Sequence, residues 1–416
     1  MKRRVGITGL GALTAAGEGW AALWKAALEK KSGIGRVSFG GHPSWEGLGA
    51  AVRDFVPEKY VTQKKSLKVM ARDIQLAVAA ANLAMQDSAI GREEYSKDRF
   101  GVIVGSGVLN HDPDELAYSV KNSLDGKGHL DLKKFGSEGL SALFPLWLLK
   151  YLPNMAACHI SILFDLEGPN NSITTGASAG LQALVEAAAI IQRGDADLML
   201  AGGAESKLNP VGYSEYQILG ILSKETDPQK AGRSFTDGEG GIVIGEGAGF
   251  LVLEEWEHAK KRKAKIYAEV VGSGSSSDDC TLAMRGALKD SGLHPEDLEY
   301  LQACGIGILE DDRAEARAIG EVFDGSTAAL HVGESKTILG FTGFAAGALD
   351  LLMSALVIGH QVIPPSMGRS EEISLSSIGL RAKSPVSKTI RHAMTNAFGF
   401  NGQSVSVILK SVPGEN

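Results

Sequence analysis

The chain has 416 residues, of which 44% are hydrophobic and 22% charged, enough apolar material to bury a large core and too much for a disordered chain. A formal net charge of −7 and a pI near 5.8 exclude whole-surface attraction to nucleic acid or to an anionic membrane, so proteins and small acyl groups are the expected partners. Three scattered cysteines, Cys158, Cys280 and Cys304, suit a reducing cytoplasm and supply neither a disulfide framework nor a paired-cysteine metal site.

In chain order, MKRRVGITGLGALTAAGEG begins like a secretory leader, basic then apolar. Gly6, Gly9 and Gly11 interrupt the apolar stretch, and VGITGLG reads instead as a short buried strand entering a turn. TGLGALTAAG lacks the glycine spacing and the ribose-binding acid of a dinucleotide site. IQLAVAAANLAMQDS (74–88) is Ala-rich and amphipathic, a helix pattern, and GVIVGSG (101–107) is a buried strand ending at glycine. Residues 108–140 are polar and weakly periodic, and read as an insertion covering one end of the first half. AGLQALVEAAAIIQRGD (179–195) predicts a helix; DLMLAGGAES (197–206) and IVIGEGAGFLVLEE (242–255) predict buried strands. A second round runs from the strand-like KIYAEVVGSGSS (265–276) through TLAMRGALKDSG (281–292) to SVSVILKSV (404–412). The alternation predicts a layered α/β fold of two related halves, about 1–253 and 254–416. No run approaches the roughly 18 apolar residues of a membrane span, so a cytosolic location is expected.

The succession VGITGLGALTAAGEG, LKYLPNMAACHISI, GPNNSITTGASAG, GDADLMLAGGAES, GEGAGFLVLEEWEHAKKRKAKIYAEVVG, SKTILGFTGFAAGALD and NAFGFNG resembles the type II β-ketoacyl-acyl-carrier-protein synthases, or ketosynthases, over nearly the whole chain. The resemblance implies two thiolase-type halves in five layers, and a dimer. It further implies no bound cofactor and no metal, with substrate carried on the phosphopantetheine of acyl carrier protein. In that family a cysteine at a buried helix start takes the acyl group. Two histidines then assist decarboxylation of malonyl-carrier protein and stabilise the enolate.

A helix N-terminus suits a thiolate, through its unpaired amides and the positive end of its dipole. At the matching position, however, this chain has Ala177, whose methyl group cannot form a thioester. Ser178 next door is turned by about 100° along a helix, has no activating histidine at a family position, and reads as a packing or capping residue. QACGIG places Cys304 at the first histidine and Ile306 at a threonine; the apolar neighbours Leu301, Ile306 and Ile308 would raise that thiol's pKa. ESKTILGFTGFAAG keeps the family lysine as Lys336, matched by Asp350, and puts Phe341 at the second histidine. NAFGFNG resembles the gating loop that also supplies an oxyanion-hole amide, here Phe398, Gly399, Phe400 and Asn401. Thr236 and Glu239 replace an aspartate and an arginine usual in catalytic members. Lys64, Lys65 and Lys68 precede a helix where related proteins dock the acidic carrier protein.

A full-length fold around a vacated centre resembles the chain-length factor, the non-catalytic subunit that pairs with a ketosynthase and shapes its acyl tunnel in polyketide, polyene or specialised fatty-acid synthesis. Residues of the 108–140 insertion would line or close that tunnel. The usual chain-length factor carries glutamine where this chain has Ala177. Two alternatives remain open on sequence: a stand-alone malonyl decarboxylase or noncanonical acyltransferase, and a homodimeric scaffold for acyl carrier protein.

Overall fold

The computed structural model describes residues 2–38, 46–61, 63–107, 112–236, 240–323, 330–367, 382–400 and 402–412. Ten strands carry the fold. The first five are β1 (Val5–Thr14), β2 (Phe100–Gly105), β3 (Asn170–Ile173), β4 (Leu198–Ser206) and β5 (Ile244–Glu255); the second five are β6 (Ala268–Ser277), β7 (Tyr300–Gln302), β8 (His331–Gly333), β9 (His392–Phe398) and β10 (Gln403–Lys410). They form the orders β3-β2-β4-β5-β1 and β8-β7-β9-β10-β6. Each set runs parallel through its first three strands and antiparallel thereafter. The two halves therefore repeat one topology, and they join where Val5–Ile7 of β1 pairs antiparallel with Ala268–Val270 of β6.

Five layers follow. Helix α1 (Arg72–Ser88) covers β1 and β5; α3 (Cys280–Ser291) and α4 (Leu309–Val322) cover the second sheet; α2 (Ala179–Arg193) and α5 (Ala346–His360) lie between the sheets. The outer helices approach closely because the strands below them lack side chains at the crossing. A Cβ on Gly11 would overlap the backbone of Ala80 and Ala84, and one on Gly274 would overlap that of Ala283 and Ala287. The same device thus sits at corresponding places in both halves.

Residues Gly343–His360 are long and apolar enough to cross a membrane, with mean hydropathy 1.5, contrary to the expectation of no such run. They form the middle layer, where every residue from Ala346 to Ile358 is buried, which is the pattern of a core helix hydrophobic all round.

Residues 112–140 are more ordered than their weak periodicity predicts, and residues 108–111 lie outside the described residues. Pro113–Asn122 is a helix, capped by the Asp112 carboxylate on the Asp114 amide, with Pro113 in its first turn. Short helical turns continue to Tyr151, followed by a helix over Met155–Phe164.

Candidate functional site

After β3 the chain bends at Gly176, whose φ of +64° lies in the left-handed region that favours glycine. One tight turn, Gly176–Ser178, then leads into α2. Ala177 is buried there. Ser178 is fully buried, and its hydroxyl donates to the Thr175 carbonyl oxygen at 2.8 Å, with Thr175 Oγ1 at 3.2 Å. That proton closes the turn, and the Ser178 side chain caps no amide of α2.

Distant segments converge on this helix start. Ala177, Cys304 and Phe341 belong to one buried apolar cluster with Tyr216, Ile242, Ile244 and Ile306. Phe341 is fixed by its backbone: its N–H donates to the Val243 carbonyl at 2.7 Å, and its carbonyl accepts from Gly245 at 2.9 Å. Its ring meets Tyr216 edge-on, with centroids 6.2 Å apart, and tilts against Phe400 at 5.3 Å. Cys304, just beyond β7, accepts the Phe398 N–H on its sulfur at 3.3 Å. Gly399 lies over the helix start, near the Thr175 carbonyl and the Ala177 amide. The loop expected as a gate therefore touches all three replaced positions; its fourth residue, Asn401, lies outside the described residues, as does Glu239.

Burial pushes the Cys304 thiol far above its usual range; Lys336 partly offsets this, and the Glu315 charge adds to it. The sulfur is a neutral, structural thiol near pH 7.

A polar shell stands directly behind the cluster. Lys336 forms a buried ion pair with Asp350. The other Asp350 oxygen accepts Ser335 Oγ at 2.5 Å and Gln302 Nε2 at 3.1 Å. Burial pulls the Lys336 pKa down, but the adjacent Asp350 carboxylate outweighs it and holds the ammonium above its ordinary value. Glu315, on α4, accepts the Cys304 and Gly305 amides at 2.8 Å each and Asn396 Nδ2 at 3.3 Å. Asp312 accepts the Phe235 and Gly307 amides at 2.7 and 3.1 Å, and burial pushes its carboxyl up to about 7. A cavity of about 260 Å³ beside this shell is lined in part by Cys280, Cys304, Phe398, Phe400 and Glu315.

Tyr216, Ile242, Ile244 and Glu315 were not singled out from sequence. The two isoleucines lie in an apolar run that looks like ordinary core, and Tyr216 stands between Glu215 and Gln217 in the mixed stretch PVGYSEYQI. Glu315 is one acid among many in LEDDRAEARAIGEV, and its single distinguishing property, burial, is invisible in sequence.

Lys64, Lys65 and Lys68 lie on a helical turn, Lys64–Val69, that ends two residues before α1. All three are exposed and none forms an ion pair among the described residues. Thr236 follows Phe235, whose φ is +55° and whose amide is the one held by Asp312.

The chain matches the β-ketoacyl synthase N-terminal domain over residues 2–259 and the β-ketoacyl synthase C-terminal domain over residues 267–369. It belongs to the β-ketoacyl synthase family, and its fold is thiolase-like. Among curated relatives, 3-oxoacyl-[acyl-carrier-protein] synthase 2 of Coxiella burnetii is 34% identical, covering 99% of each chain. Among solved structures, the ishigamide ketosynthase/chain length factor has a TM-score of 0.86 at 25% identity, covering 99% of this chain and 100% of the other. A type II polyketide ketosynthase, in complex with its acyl-carrier protein and bound to the hexaketide, has a TM-score of 0.82 at 27% identity, with the same coverage.

Proposed function

We propose that this chain is a ketosynthase-like subunit without acyl-transfer chemistry of its own, which pairs with a catalytic ketosynthase and shapes the space available to the growing acyl chain. One observation carries the reading. Where condensation needs a nucleophile and two polar donors, this chain presents a methyl group, a neutral buried thiol and a benzyl ring, packed together in one apolar cluster. None of the three can attack a thioester, and neither Cys304 nor Phe341 polarises its carbonyl. Its likeness to a 3-oxoacyl-[acyl-carrier-protein] synthase does not supply those groups.

The partner is supported by the surface. Tyr118, Leu132, Leu148 and Ile162 are 58–75% exposed, in the 108–140 stretch or the helical segments that follow it, and among the described residues β3 is an edge strand paired only with β2. Exposed apolar residues beside an uncovered sheet edge are the ordinary marks of an interface. The exposed Lys64, Lys65 and Lys68 give an acidic carrier protein, with its phosphopantetheine-borne acyl group, a place to dock.

Co-expression with a ketosynthase encoded beside it tests the reading. A stable one-to-one complex, with no acyl adduct on this chain after incubation with acyl-carrier and malonyl-carrier protein, is expected. Homodimers alone would leave a scaffold, and rapid carbon dioxide release by the isolated chain would make it a decarboxylase; either overturns the proposal.

A further inference from the structure

A cavity of about 520 Å³ opens between the start of α1, the turn after β4 and the helix over Pro113–Asn122. It lies apart from the apolar cluster, since none of Ala177, Cys304 and Phe341 lines it. Met70, Leu208 and Pro210 give it an apolar wall, and its charged lining comes from Arg72, Asp73, Asp112, Asp114, Glu115 and Lys150. The two cations are already committed. Arg72 grips Glu246 through Nε at 2.7 Å and Nη2 at 2.6 Å. Lys150 is ion-paired with Glu115, which also accepts the Tyr151 hydroxyl at 2.7 Å. Asp73, Asp112 and Asp114 have no cationic partner among the described residues.

Asp73 carries the argument. It is only 6% exposed, and its carboxylate takes no side-chain donor among the described residues; Oδ1 accepts the Ile74 amide at 3.0 Å. Burial pushes this carboxyl up to about 7, and the Glu205 and Glu246 charges add to the effect. Both of those acids are held elsewhere, Glu246 by Arg72 and Glu205 by the Phe344 N–H, which it accepts at 2.6 Å. A place in the first turn of α1 favours a negative side chain through the helix dipole. The dipole acts equally on an exposed acid, however, and does not account for burying one against a cavity, where an unpaired charge is costly.

We propose that this cavity is a binding site for a linear aliphatic polyamine. One ammonium group sits at Asp73, the methylenes lie along Met70, Leu208 and Pro210, and a second ammonium reaches Asp112 and Asp114 on the exposed rim. A positive charge brought to a buried carboxylate favours its ionised form and offsets desolvation that is otherwise uncompensated. A metal ion is not the match, because no three His, Cys, Asp or Glu side chains among the described residues are grouped to hold one. Since Asp73 belongs to α1 and Asp112 and Asp114 to the insertion, an occupant also clamps the insertion onto the first half. The site goes beyond the pairing with a ketosynthase and does not depend on it.

The test uses the isolated full-length chain and spermidine, with binding followed by calorimetry at low ionic strength. Saturable one-to-one binding is expected, weakened about tenfold by Asp73→Asn and about threefold by Asp114→Asn. Glu310→Gln, which alters an exposed acid outside the cavity, should leave it unchanged. Butylamine, with a single ammonium, should bind more weakly and be indifferent to Asp114→Asn. Hydrogen exchange over residues 113–122 should slow when spermidine is added. Should Asp73→Asn fail to fold, Asp114→Asn, at an exposed position, decides, with butylamine as its control. Absence of saturable binding, or equal effects of Asp73→Asn and Glu310→Gln, overturns the site, and unchanged exchange over residues 113–122 overturns the clamp. Because no ketosynthase is present, failure here is distinct from failure to form the one-to-one complex.

Discussion

The apolar cluster around Ala177 and the polar shell behind it lie side by side, yet one is held by packing and the other by charge and hydrogen bonds. In the cluster, Ala177, Cys304 and Phe341 are buried among apolar side chains. In the shell the Lys336–Asp350 ion pair is buried, and the Glu315 carboxylate holds the Cys304 and Gly305 amides. The difference teaches that the shell's first duty is structural. It satisfies buried amides and charges whether or not a reaction takes place in front of it.

Removing one member of the ion pair should strike hardest. Lys336→Met leaves Asp350 buried without its cation, and urea unfolding should show a loss of about 3–5 kcal/mol, largely recovered when Asp350→Leu is added. A loss below about 1 kcal/mol would show that the pair is not buried as described. In the cluster, Phe341→Ala should cost about 3 kcal/mol and Phe341→Leu about 1 kcal/mol, because the first leaves a cavity and the second nearly fills it. If Phe341→Ala were neutral, the cluster would not be a packed unit. Cys304→Ala spans the two regions: it removes the sulfur that accepts the Phe398 amide and should cost roughly 1–2 kcal/mol in the same assay.

The smallest effect is a slope with pH. Asp312 holds its proton up to about 7 in the folded chain, against an ordinary value of 3.8. Between those values the unfolded chain has released a proton that the folded chain keeps, so stability falls as pH rises from about 4 to about 7 and then levels. The slope from this residue is at most about 1.4 kcal/mol per pH unit. Asp312→Asn should remove that share of the slope, leaving the shares of Asp73 and Glu205, whose carboxyls burial likewise pushes up to about 7, and Phe341→Ala should leave the slope unchanged. A slope that responds to Phe341→Ala instead would join the two regions into one.

Much of this was legible in the sequence because the signals are local. GVIVGSG and LVLEE lie in buried strands as read, VGITGLG lies in a strand that runs past its glycines to Thr14 rather than turning there, and the Ala-rich runs at 74–88 and 179–195 are helices. Ala177, Cys304 and Phe341 could be singled out because each sits inside a short motif of fixed spacing, and the structure brings all three together. Illegible parts lacked either locality or period. Residues 343–360 are apolar on every side, so no amphipathic stripe announced their length as a helix. The helix at Pro113–Asn122 has a polar outer face that blurred its period. Glu205 and Phe344 are 139 positions apart, and only the folded chain shows that one holds the other.

The central helix α5 also shapes how the molecule must come into being. It carries the apolar content of a bilayer-spanning segment, yet two strands it packs against, β9 and β10 (residues 392–410), are synthesised after it. While the ribosome is still making them, a greasy rod stands ready on an unfinished scaffold, open to mistargeting and to clumping with its neighbours. Truncation before residue 392 should therefore yield an insoluble product that depends on chaperones, whereas loss of residues after 412 should not.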